Sequence, residues 1–233
     1  MAVSVDTSIW HEPAAPVAGG RRISATRIVA SALGVAAGLL GLEHGWFETL
    51  QGNVAPDSVV INAIGPPCER ATAWHGCEPA LTIVPSFLVT GVLAMVAAAA
   101  VLVWAAAFVQ RKRGGIVLLV LTTVLFLVGG GFFTLWYGVI AGIAGAKIGA
   151  SFTWWRAHAD NRVARMLASL WPFLLIGYLV WDVLAWLIGT AFGDFMLRIT
   201  PLTTAATPVV LILILLSGFA RDTQPSKGSP RHT

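Results

Sequence analysis

The chain has 233 residues, 57% of them hydrophobic and only 11% charged. A soluble domain carries about 25% charged residues, so this composition excludes an ordinary water-solvated globule and leaves no stretch for a separate soluble domain. The formal net charge of +4 reads as a topology signal, not as nucleic-acid binding, because the bases fall between hydrophobic segments and form no basic domain.

Residues 1–27 form an N-terminal tail, irregular at its start with Pro13, Pro16, Gly19 and Gly20. A membrane-crossing helix needs roughly 20 apolar residues. The first candidate covers 28–49, after Arg21, Arg22 and Arg27. The stretch Gly20–Arg27 with its following apolar run faintly resembles a twin-arginine signal. That run continues into Glu43 and His44 with no small-x-small site, so an uncleaved helix is expected. An outer loop spans 50–84, and a second span covers 85–109, ending at Arg111-Lys112-Arg113. Spans at 167–190 and 201–219 are clear, and a second tail covers 220–233.

The stretch between Arg113 and Arg156 carries one charge, Lys147, and Gly129-Gly130-Gly131 in its middle. A glycine triplet is a natural place to turn the chain. Two spans, 114–129 and 132–150, make six in total. Thirteen of the fifteen Lys and Arg then lie inside, with Arg70 and Arg198 outside; a single crossing leaves seven inside and eight outside. The positive-inside rule selects six spans with both termini cytoplasmic. Lys147 then snorkels to the inner headgroups.

Glycines repeat at helical spacing in two spans: Gly34, Gly38, Gly41 and Gly45, then Gly138, Gly142, Gly145 and Gly149. The first four lie within about 60° of one another at 100° per residue, and such stripes let membrane helices approach closely. Each is read as a packing surface, either for another span or for self-association with a second chain or subunit.

The outer loop holds both cysteines, Cys68 and Cys77. Two cysteines on the oxidising side of a membrane most often pair, and closing this loop would stabilise by roughly 2–3 kcal/mol. A metal reading with Cys68, His75 and Cys77 fits no common zinc spacing. A redox reading lacks the Cys-x-x-Cys spacing.

Polar residues mark the candidate site. Glu43, His44 and Glu48 lie in the first span, where a charge near the bilayer centre costs roughly 2.5–3.5 kcal/mol. Counting 1.5 Å per residue from Arg27 and from Arg165 puts Glu43 and Asp182 at similar depths, roughly 24 and 25 Å from those bases. Tyr178 and Trp186 lie four residues to either side of Asp182. His44 and Glu48 share a face. Three readings compete: helix-tying hydrogen bonds, including a His44–Glu48 pair; an outward-opening site for a solute, ion or proton; and a metal or catalytic site using His44, Glu48 and Asp182. Pro208 is expected to kink the last span, with Thr204 and Thr207 satisfying freed carbonyls.

Four runs, Gly-Leu-Glu-His-Gly (41–45), Leu-Gln-Gly-Asn (50–53), Cys-Glu-Pro-Ala-Leu-Thr (77–82) and Val-Gly-Gly-Gly-Phe (128–132), resemble landmarks of a group of small, uncharacterised prokaryotic multi-span membrane proteins. In those relatives glycine usually precedes the Glu-Pro-Ala run, where this chain has Cys77, which makes the disulfide a local elaboration. The resemblance is best over 28–150, and implies a polytopic membrane protein and no particular activity.

The sequence therefore predicts an all-α, six-span protein of the plasma membrane with an extracytoplasmic loop at 50–84. Its partner is the lipid bilayer, with no nucleic acid and no cofactor. The leading functional expectation is an outward-facing polar pocket between spans one and five, built on Glu43, His44, Glu48, Tyr178 and Asp182. The alternative is a non-catalytic membrane subunit or scaffold. A metal-dependent membrane enzyme comes third, since no nucleotide loop, nucleophile elbow or haem motif is present.

Overall fold

A computed structural model describes residues 24–62 and 78–224. Cys68, His75 and Cys77, with the expected disulfide, lie outside the described residues. The described chain is mainly helical: α1 (Ala25–Leu50), α2 (Phe87–Val103), α3 (Gly114–Leu127), α4 (Phe132–Ala146), a short α5 (Thr153–His158), α6 (Asn161–Ala191) and α7 (Gly193–Thr223). A π-helical turn, Trp104–Phe108, continues α2. The all-α expectation needs one amendment. In the 50–84 connection β1 (Val60–Asn62) pairs antiparallel with β2 (Pro79–Leu81), Ile61 opposite Ala80. Strands of three residues are too short to show an alternating pattern in sequence.

Four helices are long and apolar enough to cross a bilayer: Ala25–Leu50, Phe87–Phe108, Arg162–Ala191 and Gly193–Thr223. The predicted spans 114–129 and 132–150 appear as shorter helices of 14 and 15 residues. At 1.5 Å per residue these are roughly 21 and 22 Å long, against a hydrocarbon core of roughly 30 Å. The glycine triplet turns the chain between them, with φ of 104° at Gly129 and 81° at Gly131.

The last two spans are longer than expected, and the predicted connection between them shrinks to Phe192. Helix α7 runs through both Pro201 and Pro208. Each proline follows a threonine whose hydroxyl bonds a carbonyl four residues back: Thr200 to Met196 (2.7 Å) and Thr207 to Thr203 (3.0 Å). Neither is the carbonyl that the following proline frees, Leu197 O and Thr204 O, so Thr207 does not fill the role expected of it; such back-bonding accompanies helix bending. Thr204, whose carbonyl loses its usual donor to Pro208, lines a cavity instead.

Helix α1 is the hub. Half of its most apolar stretch is buried within the protein, against 17% for α6. Its glycine stripe packs on α2 and α3. A Cβ on Gly34 would lie 2.5 Å from Ala105 Cβ, one on Gly38 2.8 Å from Leu102 Cβ, and one on Gly41 2.7 Å from Leu125 Cδ2. Gly45 and Gly91 meet backbone to backbone, each blocking a side chain on the other. The second stripe packs on α3, Gly138 against Thr122 and Gly145 against Gly115. Both stripes are thus engaged within the chain. Gly149 is not part of this packing: it follows α4, has φ of 75° and would meet nothing within 4 Å. It serves a turn, where its missing side chain allows the positive φ.

These contacts fix the directions. The α1 contacts rise along α3 and fall along α2, and α4 runs opposite to α3. The end of α7 returns to the start of α1, where Asp222 accepts hydrogen bonds from Ala25 N (2.7 Å), Thr26 N (2.9 Å) and Thr26 Oγ1. The first N–H groups of a helix have no partner within it, and this carboxylate from a distant helix supplies one. The two ends of the helical bundle are therefore on one side. On its outer surface the bundle shows lipid-compatible side chains, among them Phe173, Ile176 and Val183 on α6.

Candidate functional site

The polar residues gather at the end of the bundle where α1 finishes and α4 begins. On α1, Glu43 points away from the glycine stripe, and its Oε1 accepts a hydrogen bond from Trp186 Nε1 of α6 at 3.2 Å. His44 and Glu48, four residues apart, face the other way and are 2% and 0% exposed. They do not pair. The His44 ring lies against Gly131, and its Nε2 is 3.3 Å from Glu78 Oε2. The Glu48 carboxyl rests on Gly129, and neither oxygen has a hydrogen-bond partner. Helix geometry explains the split: successive residues diverge by 100°, so Glu43 and His44 look at different neighbours.

The four landmark runs meet at this level. Gly129 N donates to Leu81 O (2.9 Å), and Ile83 N to Leu127 O (3.1 Å), joining the Glu-Pro-Ala-Leu-Thr run to the glycine turn. Thr90 of α2 donates to Val128 O (2.7 Å) and shares a hydrogen bond with Thr82. Leu88 N bonds Gly52 O and Ser86 Oγ bonds Asn53 Oδ1, fastening the Leu-Gln-Gly-Asn run to the start of α2. Runs separated by up to ninety positions thus close one polar cap over this end of the bundle.

Beside this cap lies a cavity of about 140 Å³, bounded by α1, α4, α6 and α7 with Glu78 from the loop. Four predicted residues line it: Glu43, His44, Tyr178 and Asp182. Glu48 does not, because the glycine turn covers it on another side of α1. The expected pocket between spans one and five is also wider in membership. Helix α6 packs mainly on α7, and α4 supplies the wall opposite it.

Tyr137 of α4 is the residue that sequence reasoning missed. It is 2% exposed, and its hydroxyl bonds both Asp182 Oδ2 (2.5 Å) and the Tyr178 hydroxyl (2.8 Å). A phenol has one proton, so with Tyr137 donating to the Asp182 carboxylate, Tyr178 donates to Tyr137. The signal was available: the chain has just two tyrosines, both in apolar segments where a hydroxyl needs a partner. The α7 wall was missed too. Thr200, Thr203, Thr204 and Thr207 line the cavity at i, i+3, i+4 and i+7, the spacing of one helix face.

A second cavity, about 690 Å³, lies between Phe47, Asp57, Ile61 and Phe87. Asp57 is its one titratable wall residue among those described, so it offers less chemistry. Among the described residues no three His, Cys, Asp or Glu stand close enough to hold a metal. No family model, curated protein or solved structure matches this chain.

Proposed function

We propose that this is a six-span plasma-membrane protein, both ends cytoplasmic, whose outward-facing pocket binds or passes a small solute, ion or proton. One observation carries the reading. Glu43, His44, Tyr178 and Asp182, picked from separate apolar segments, converge with Tyr137 and Glu78 on one cavity at the outer end of the bundle. Ionisable groups among membrane helices are costly and concentrate at sites of use. Six crossings are supported by helix direction: α3 and α4 run beside α1 in alternating sense, and the basic turn Arg111-Lys112-Arg113 precedes α3. The ends joined through Asp222 suit an even number of crossings. Sidedness rests on the positive-inside rule.

A scaffold reading has its own support, since Tyr137–Asp182 and Glu43–Trp186 tie α4 and α1 to α6. Native mass spectrometry of the detergent-released protein separates the two, with a thermal melt confirming that each variant folds. A binding site gives a wild-type adduct that Asp182→Asn and His44→Ala both lose. A proton is read with the same variants in liposomes loaded with a pH-sensitive dye. A bare wild-type mass together with no proton movement, and variants that only lower stability, leaves the scaffold.

A further inference from the structure

We infer that a basic, lipid-facing patch on α5 and α6, built on Arg156, Arg162 and Arg165, docks the headgroup of an anionic phospholipid. The inference needs α6 to lie in a bilayer, as its length and apolar composition allow. It does not depend on the pocket, which lies at the other end of α6: Arg162 precedes Asp182 by roughly 30 Å along the helix, about the thickness of a hydrocarbon core.

Charge selects the partner. Between Gly114 and Trp181 stand four bases, Lys147, Arg156, Arg162 and Arg165, and one acid, Asp160. All four bases are exposed. Asp160 is engaged in capping α6, where its Oδ1 accepts a hydrogen bond from Arg162 N at 2.6 Å. A zwitterionic head carries its own cation, which these bases repel, whereas an anionic head does not. Helix α5 is held in place beside the hairpin of α6 and α7, because Phe152 at its start packs on Phe219 of α7 with ring centroids 4.9 Å apart.

Placement makes the partner a lipid and not a free anion. Helix α6 turns Ala164, Ala168 and Leu175 toward the bundle, where they are buried. At 100° per residue Arg162 stands roughly 160° from Ala164, on the opposite side. It lies within about 40° of Met166 and about 20° of Phe173, both exposed. Ile176 continues this stripe and is exposed as well. Arg165 flanks it. The bases therefore sit at the head of a helix face that is otherwise apolar and lipid-exposed. A phosphate ion would meet the charge and leave the stripe unused. A phospholipid meets both, its phosphate at the arginines and its chains along Met166, Phe173 and Ile176.

The test is native mass spectrometry of the full-length protein in mild detergent, with an equimolar mixture of phosphatidylglycerol and phosphatidylcholine of identical chains. Bound phosphatidylglycerol should exceed phosphatidylcholine about tenfold. A base near a headgroup is worth about fivefold, so Arg156→Gln with Arg162→Gln should bring the two lipids near parity. Arg156→Lys with Arg162→Lys keeps the charge and should keep most of the preference. Arg111→Gln with Lys112→Gln removes the same charge from the turn before α3 and should change the preference by no more than about twofold. Arg162→Gln alone, expected to cost about fivefold, decides the matter should the double variant fail a thermal melt. Excess inorganic phosphate should leave the lipid bound. Equal binding of the two lipids by the wild type overturns the proposal. An equal loss in the Arg111, Lys112 variant overturns it too, since the preference then belongs to net charge and not to this patch. Displacement by inorganic phosphate makes the patch a free-anion site and overturns the lipid. None of these outcomes bears on the pocket.

Discussion

Gly131→Ala is expected to lower stability by about 2–6 kcal/mol, while Gly52→Ala lowers it by about 1 kcal/mol. Gly131 has φ 81° and ψ 154°, a region essentially closed to residues with a Cβ. Strain there costs roughly 1–3 kcal/mol. A Cβ would also stand 2.5 Å from His44 Nε2 and 2.6 Å from Cε1. The ring has little room to retreat, since His44 is 2% exposed and sits over the turn beside Glu78. Overpacking of this kind adds about 1–3 kcal/mol. Gly52 is the open-space control: it too has a positive φ, 79°, but nothing lies within 4 Å of the added methyl. It carries a positive-φ penalty and no clash. Thermal melts of both variants in one detergent measure the difference. Equal losses would mean that the turn does not press on His44.

Glu48→Met is expected to raise stability by about 1–3 kcal/mol and to leave ligand binding within about twofold. Glu48 is fully buried and its two oxygens lack hydrogen-bond partners. An ionised carboxyl there carries a desolvation cost that nothing offsets, and a protonated one leaves its donor unmet. Methionine has similar length and no such requirement. Because Glu48 is walled off from the 140 Å³ cavity by its place against Gly129, the pocket should not sense the change. The check is a paired melt and native mass spectrum against wild type. A large loss of stability would show that the carboxyl has a partner, and a large loss of binding would place Glu48 back in the site.

The sequence made depth legible and orientation only partly so. Counting residues from Arg27 and Arg165 put Glu43 and Asp182 at one level, and both line one cavity. Glu48 was grouped with them because it shares a face with His44, but neither depth nor spacing says which neighbour fills a given side of α1. That depends on which helix fills each side, and the glycine stripe did not name its partner. Once α2 and α3 occupy the stripe, Glu48 is left against the glycine turn and Glu43 against α6. Glu78 was invisible for another reason: it arrives from a loop whose path is set by the two-stranded sheet and its bonds to Leu127 and Gly129. Tyr137, Thr200 and Thr203 gave no signal because a single hydroxyl group carries no charge penalty in a span, and Thr204 and Thr207 were read only as carbonyl partners, not as a cavity wall. The α6–α7 junction misled for a local reason. Proline normally ends a helix, but α7 continues through Pro201 and Pro208, each tolerated at the loss of one backbone donor.

The most direct single measurement is labelling of Ala185→Cys with a membrane-impermeant thiol reagent in intact cells, in a Cys68→Ser, Cys77→Ser background. Ala185 lines the cavity, and Ile176→Cys on the 61%-exposed outer face of α6 is the lipid-facing control. A water-filled, outward-facing pocket gives labelling at Ala185→Cys from outside and none at Ile176→Cys. Labelling of Ala185→Cys only from the cytoplasmic side, or no more than at Ile176→Cys, would contradict an outward-facing pocket.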